Sequence, residues 1–176
     1  MIGDLLKERK GAIVQRWVEV VLATYSEDAA VLFQKERDPF ANPVGYSVRE
    51  GTAGLLDAIL DGMDTGELRR HLDQIIRVRA VQQISPSQAL SFVFSLKSIL
   101  RASLPEGGQD PRLARELAEM DLRVDQVGLL AFDLYSECRE EVTRLRINEV
   151  KRQVAWVLDK LNRRGGGPAD DPAGPD

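Results

Sequence analysis

Apolar residues recur along this chain at steps of three and four, and no run of alternating apolar and polar residues is bounded by hairpin turns, so the pattern predicts an all-α protein, a helical bundle. A first helix is expected from about Asp4 to Thr24, with Leu6, Ile13, Trp17, Val20 and Val21 on the core face. A short second helix is expected from Asp28 to about Lys35. Asp38-Pro39-Phe40-Ala41-Asn42-Pro43 then breaks the pattern, because each proline disfavours α geometry in the residue before it, and Phe40 is the expected anchor of this loop. A third helix from about Tyr46 to Gly62 presents Leu55, Leu56, Ile59 and Met63, and the glycine-containing turn that follows ends it. The fourth, from Glu67 to about Gln83, carries Leu68, Leu72, Ile75, Ile76 and Val81.

Ser85-Pro86-Ser87-Gln88 combines a capping serine, a proline suited to the first helical position and a glutamine able to complete a capping box, so a fifth helix starts there, with Leu90, Val93, Phe94, Leu100 and Leu104 facing inward. Asp110-Pro111 repeats the cap-then-proline arrangement. The stretch to about Leu161 has Gly128 as its one glycine, and is read as a short helix meeting a long one near Asp121 rather than as a single helix of roughly 75 Å. Val127, Ala131, Leu134 and Cys138 recur at steps of four, three and four; Ile147, Val150, Val154, Val157 and Leu161 recur at three, four, three and four, a heptad seam. Val142 and Leu145 fall two residues short of that register, so the seam changes partner near Leu145. The resulting organisation is a helical, sensor-like domain over 1–145, a projecting C-terminal helix over 146–164 that pairs with its copy in a homodimer, and a disordered tail over 165–176. Folding of the same stripe back onto its own bundle is the alternative.

Composition narrows this picture. A chain of 176 residues with 43% hydrophobic and 30% charged residues can bury a core, which excludes disorder and two large domains alike. One cysteine excludes an internal disulfide, and with no secretory pattern at the start this points to the cytoplasm. No apolar run approaches the roughly 18 residues that membrane insertion requires. The net charge of −4, from 24 basic and 28 acidic residues, gives no reason to expect a nucleic-acid partner. Arg139 to Arg164 holds eight basic and four acidic side chains with Trp156 as the one aromatic, which reads as a solvated helix face.

Candidate chemistry is sparse. His71, the single histidine, sits beside Arg69 and Arg70 and reads as a boundary residue rather than a ligand of zinc or haem iron. Cys138 falls on an apolar helix side, where a thiol packs as a small hydrophobe. Gly45, Gly51 and Gly54 lack the lysine and hydroxyl of a phosphate loop, and Asp61, Asp64 and Glu67 lack the alternation of a calcium loop. No catalytic residue, cofactor site or metal site is assigned, and the chain is read as non-enzymatic. Arg77 and Arg79 interrupt the apolar run Ile75-Ile76-Arg77-Val78-Arg79-Ala80-Val81 from nearly opposite helix sides, so one of them is expected to form a buried polar tie to carbonyls or to an acid such as Asp57 or Asp133.

Trp17 late in the opening helix, Asp38-Pro39-Phe40-Ala41-Asn42-Pro43-Val44-Gly45, and Ile76-Arg77-Val78-Arg79-Ala80-Val81-Gln82-Gln83-Ile84-Ser85-Pro86-Ser87-Gln88-Ala89 together resemble the RsbRD-type N-terminal domain of stressosome co-antagonist proteins, which act on the RsbT switch kinase. The resemblance extends over most of residues 4 to 150. It implies an all-helical sensory or protein-interaction domain in stress-response signalling, globin-like without haem, with an unidentified regulatory protein as partner. In such proteins a linker helix and a STAS domain follow; here the chain ends after the linker-like helix, so the output is expected to pass through another protein, and no phosphorylation site is carried over. A ligand-binding or haem-type sensor, and an accessory subunit of a larger enzyme complex, are the rival readings.

Overall fold

The computed structural model describes residues 1–25, 33, 35, 38–82, 84–104 and 111–165, the side chains of the last two apart. The described residues form helices α1 (Ile2–Glu8), α2 (Lys10–Leu22), α3 (Pro43–Asp61), α4 (Thr65–Ala80), α5 (Pro86–Ala102) and α6 (Pro111–Gly165), with no strand among them. The protein is all-α. The short helix expected over Asp28–Lys35 lies almost wholly outside the described residues, as does the tail from residue 166. Contacts divide the chain into a unit of residues 1–139 and a unit of residues 140–176.

Several boundaries differ from the sequence reading; α4, for one, runs from Thr65 and stops at Ala80 rather than near Gln83. The first helix is broken at Arg9, whose backbone leaves helical geometry (φ −102°, ψ 9°). The Arg9 guanidinium donates to the Ser103 carbonyl at 2.6 Å, and the break lets Ile2 and Leu6 join Ile13 and Trp17 in one core. Helix α3 starts three residues before the expected Tyr46, because Asn42 caps it, accepting from the Gly45 amide at 2.8 Å, and Pro43 supplies the first turn. Finally, α6 is one helix instead of two meeting near Asp121. No proline follows Pro111 within it, and Gly128 is covered by the Phe94 ring, so nothing in its backbone calls for a break.

The core of the 1–139 unit is built from one face of each helix: Trp17, Val21 and Leu22 of α2, Leu55, Leu56 and Ile59 of α3, Leu72, Ile75 and Ile76 of α4, Phe92 and Leu96 of α5, and Val124, Val127, Ala131 and Leu134 of α6. Each such aliphatic side chain contributes roughly 1.5–3 kcal/mol when fully buried. Helices α3 and α4 approach closely at two glycines, where a Cβ on Gly51 would lie 2.8 Å from Ile75 Cγ1 and one on Gly54 would lie 2.0 Å from the His71 ring. Helix α3 ends at Gly62 (φ 132°) and Met63 (φ 65°), and Asp64 then caps α4 by accepting from the Glu67 amide at 2.9 Å. The capping box at Ser85 is complete, with Gln88 N–H to Ser85 Oγ at 3.3 Å and Ser85 N–H to Gln88 Oε1 at 3.0 Å.

Three expected core positions are exposed. Phe40 does not anchor its loop: it is 96% exposed, and the buried side chain there is Asn42. Val81 follows the end of α4 and turns outward, and Phe94 lies half-exposed over Gly128.

Candidate interaction surface

The 1–139 unit uses arginines as connectors. A helix leaves its last carbonyls without intrahelical donors, at the negative end of its dipole. Among the described residues four helix C-terminal ends meet a guanidinium from another element: Arg79 at the Thr24 hydroxyl just past α2, Arg123 Nη1 at Ile59 O of α3 (2.8 Å), Arg139 Nη1 at Ala80 O of α4 (3.0 Å) and Arg9 at Ser103 O after α5. Arg79 is the buried one, with no exposed surface. Its Nε donates to Ala89 O at 2.7 Å, Nη2 to Gln88 O at 2.9 Å and Nη1 to Thr24 Oγ1 at 2.9 Å, with Val21 O further off at 3.5 Å. The guanidinium carbon lies 5.5 Å from the centre of the Phe92 ring, and the Phe92 carbonyl accepts from Trp17 Nε1 at 2.8 Å. No carboxylate pairs with Arg79 among the described residues. Burial pushes its pKa down, and the neighbouring Tyr25 and Tyr135 pull it back up. Arg77, by contrast, is exposed, and its Nε bonds Asp73 at 2.6 Å. Asp57, one of the acids considered for this tie, is bound to Lys10 at 2.6 Å.

His71 is mostly covered; its Nε2 stands 3.5 Å from Glu67 and its Nδ1 is buried without a hydrogen-bond partner. It lines a cleft of about 570 Å³ with Gly54, Asp57, Asp61, Asp64, Glu67 and Arg70. The acids of this cleft are already engaged: Asp57 by Lys10, Asp61 by Lys7 at 2.5 Å, Asp64 as a helix cap and Glu67 by Arg70 at 2.5 Å. The Arg70 bond accordingly holds Glu67 below the usual carboxylate range, and Asp61 holds Lys7 above the usual amine range. Among the described residues no group of three His, Cys, Asp or Glu side chains could hold a metal ion. Cys138 is half-buried against the core.

The 140–176 unit presents the opposite character. Ile147, Val150, Val154, Val157 and Leu161 lie on one stripe of α6 and are each between 46% and 59% exposed. Leu145, Trp156 and Leu158 are exposed as well. Contiguous apolar side chains exposed in this way are, in general, a mark of surfaces that meet a partner. The ion pairs of this unit are local: Glu149 pairs with Arg152, Asp159 with Arg163 at 3.0 Å and Glu141 with Arg144 at 3.6 Å.

The described residues thus form an all-helical unit whose helix ends are met by arginines, and a helix that carries an exposed apolar stripe. The family described as RsbT co-antagonist protein rsbRD N-terminal domain matches residues 11–150, and the chain belongs to it. No match is found among curated proteins or among solved structures. Among the described residues no helix is long and apolar enough to cross a membrane.

Proposed function

We propose that the chain is a non-enzymatic, cytoplasmic regulatory domain that answers a signal in its helical body, of globin-like arrangement without haem, by changing how the seam from Ile147 to Leu161 is covered by another helix. The observation that carries this is the exposure of all five seam residues in a member of the rsbRD N-terminal family. The family description names a co-antagonist of RsbT, which supports partners within stressosome-type signalling. The seam spacing by itself suits a second copy in a homodimer. Light scattering of the full chain, alone and mixed with a STAS-domain stressosome protein, tests the reading. Association with a copy or with that protein, lost in Val150→Asp/Val157→Asp while helicity is retained, is the expected result. Association unchanged by the double substitution, or none in either sample, would refute it.

A further inference from the structure

The seam residues fix which side chains flank it. With Ile147, Val154 and Leu161 at one seam position and Val150 and Val157 at the other, the flanking positions are Arg144, Lys151 and Leu158 on one side and Arg146, Gln153 and Lys160 on the other. Every charged residue in these flanks is a cation. Glu141 pairs with one of them, Arg144, at 3.6 Å, while Glu149 and Asp159 are engaged by Arg152 and Arg163 on the back of the helix. Among the described residues Arg146, Lys151 and Lys160 make no ion pair; Lys160 lies over the Trp156 ring instead, 4.7 Å from its centre.

From this we infer that the occupant of the seam is a partner helix with its own apolar stripe and acidic flanks, rather than a second copy of this chain. Flanking charges set partner choice in such pairings. A parallel self-pair would place Arg146 against Lys151 of the second copy on both sides of the seam. An antiparallel self-pair sets each cationic flank against itself. The valines at both positions of the second seam register also depart from the leucines that favour parallel two-stranded pairing. A lipid surface fits less well, because the strict two-position seam is narrower than the broad apolar face that lies in a bilayer interface.

This inference rests on the function proposed above, and the test separates the two. The full chain is titrated against two fluorescent four-heptad peptides with leucine at both seam positions, one with glutamate and one with lysine in the flanks, and read by anisotropy. The glutamate peptide is expected to bind about tenfold more tightly or better in low salt, with the advantage shrinking as salt rises. Arg146→Glu with Lys151→Glu and Lys160→Glu, all exposed, is expected to reverse the preference at unchanged helicity. Equal binding of both peptides, a chain that self-associates and excludes both, or tighter binding to phosphatidylserine vesicles than to the glutamate peptide overturns the inference. Val150→Asp/Val157→Asp is the control for the underlying reading: if it leaves peptide binding intact, the seam itself is not the surface.

Discussion

Replacing Arg79 by lysine and, separately, by methionine tests whether its role is the reach of a planar fork or merely the filling of space. The guanidinium joins two places at once, Thr24 at the end of α2 and the Gln88 and Ala89 carbonyls in the first turn of α5. A lysine ammonium is a single point and reaches one of these places, so about two of the three short hydrogen bonds are lost. It also keeps a buried charge, and a more strongly hydrated one. With hydrogen bonds worth about 1 kcal/mol each net, and more where a charge is involved, Arg79→Lys is expected to cost roughly 2–4 kcal/mol. Arg79→Met loses all three bonds but also the cost of burying a charge, and every carbonyl involved belongs to a helix or turn with other donors nearby. Its loss is expected to be smaller, about 1–2 kcal/mol. Urea denaturation followed by circular dichroism measures both, with exposed Arg77→Lys as the control expected within about 0.5 kcal/mol of the parent. Arg79→Lys as stable as the parent, or Arg79→Met less stable than Arg79→Lys, would refute the argument that geometry rather than charge is what this residue supplies.

Asn42→Ala removes the α3 cap and the bond from Nδ2 to Phe33 O at 2.8 Å, and should cost about 1–2 kcal/mol in the same assay. Gly45→Ala should be destabilising although alanine is the better helix former, because the new Cβ would lie 2.6 Å from the Phe33 carbonyl oxygen and 2.2 Å from Asn42 Nδ2. Glu116 accepts from the Ile2 amide at 2.6 Å and from Arg112, which holds its carboxyl below the ordinary range. A group whose folded pKa is depressed stabilises above its unfolded value and loses that contribution as pH falls, so Glu116→Gln should flatten the decline of stability below about pH 4.3, measured by urea midpoints across that window. Truncation after Arg164 removes residues with no apolar side chain larger than alanine and should shift the melting temperature by no more than about 2 °C.

Features written in local chemistry were legible in the sequence: the Ser85-Pro86-Gln88 capping box, the turn at Gly62, and the α6 face carrying Val127, Ala131 and Leu134. Each follows from neighbours within a turn or two. What was not legible depends on residues far apart. Nothing near Arg9 announces a break; its guanidinium reaches Ser103, 94 positions away. Phe40 looked like an anchor because it is aromatic between prolines, but the smaller Asn42 satisfies two backbone groups from a buried position, which decides which way the loop turns. That Arg79, and not Arg77, lies inside depends on the phase of α4 against α2 and α5. The arginines at the ends of α3 and α4 lie on α6, and only the folded arrangement brings them there.

The two tryptophans fall one in each unit and in opposite surroundings: Trp17 has no exposed surface and donates to Phe92 O, while Trp156 is 62% exposed beneath Lys160. The chain therefore carries two native optical reporters of distinct colour. Trp17 should emit at short wavelength and resist acrylamide until the body unfolds, and Trp156 should emit near the value of free indole and be quenched readily. Trp156 shares the register of Glu149 and Arg163, away from the seam, so unfolding of the body would shift the first signal and leave the second that of exposed indole, and the integrity of the body can be followed in one unlabelled sample.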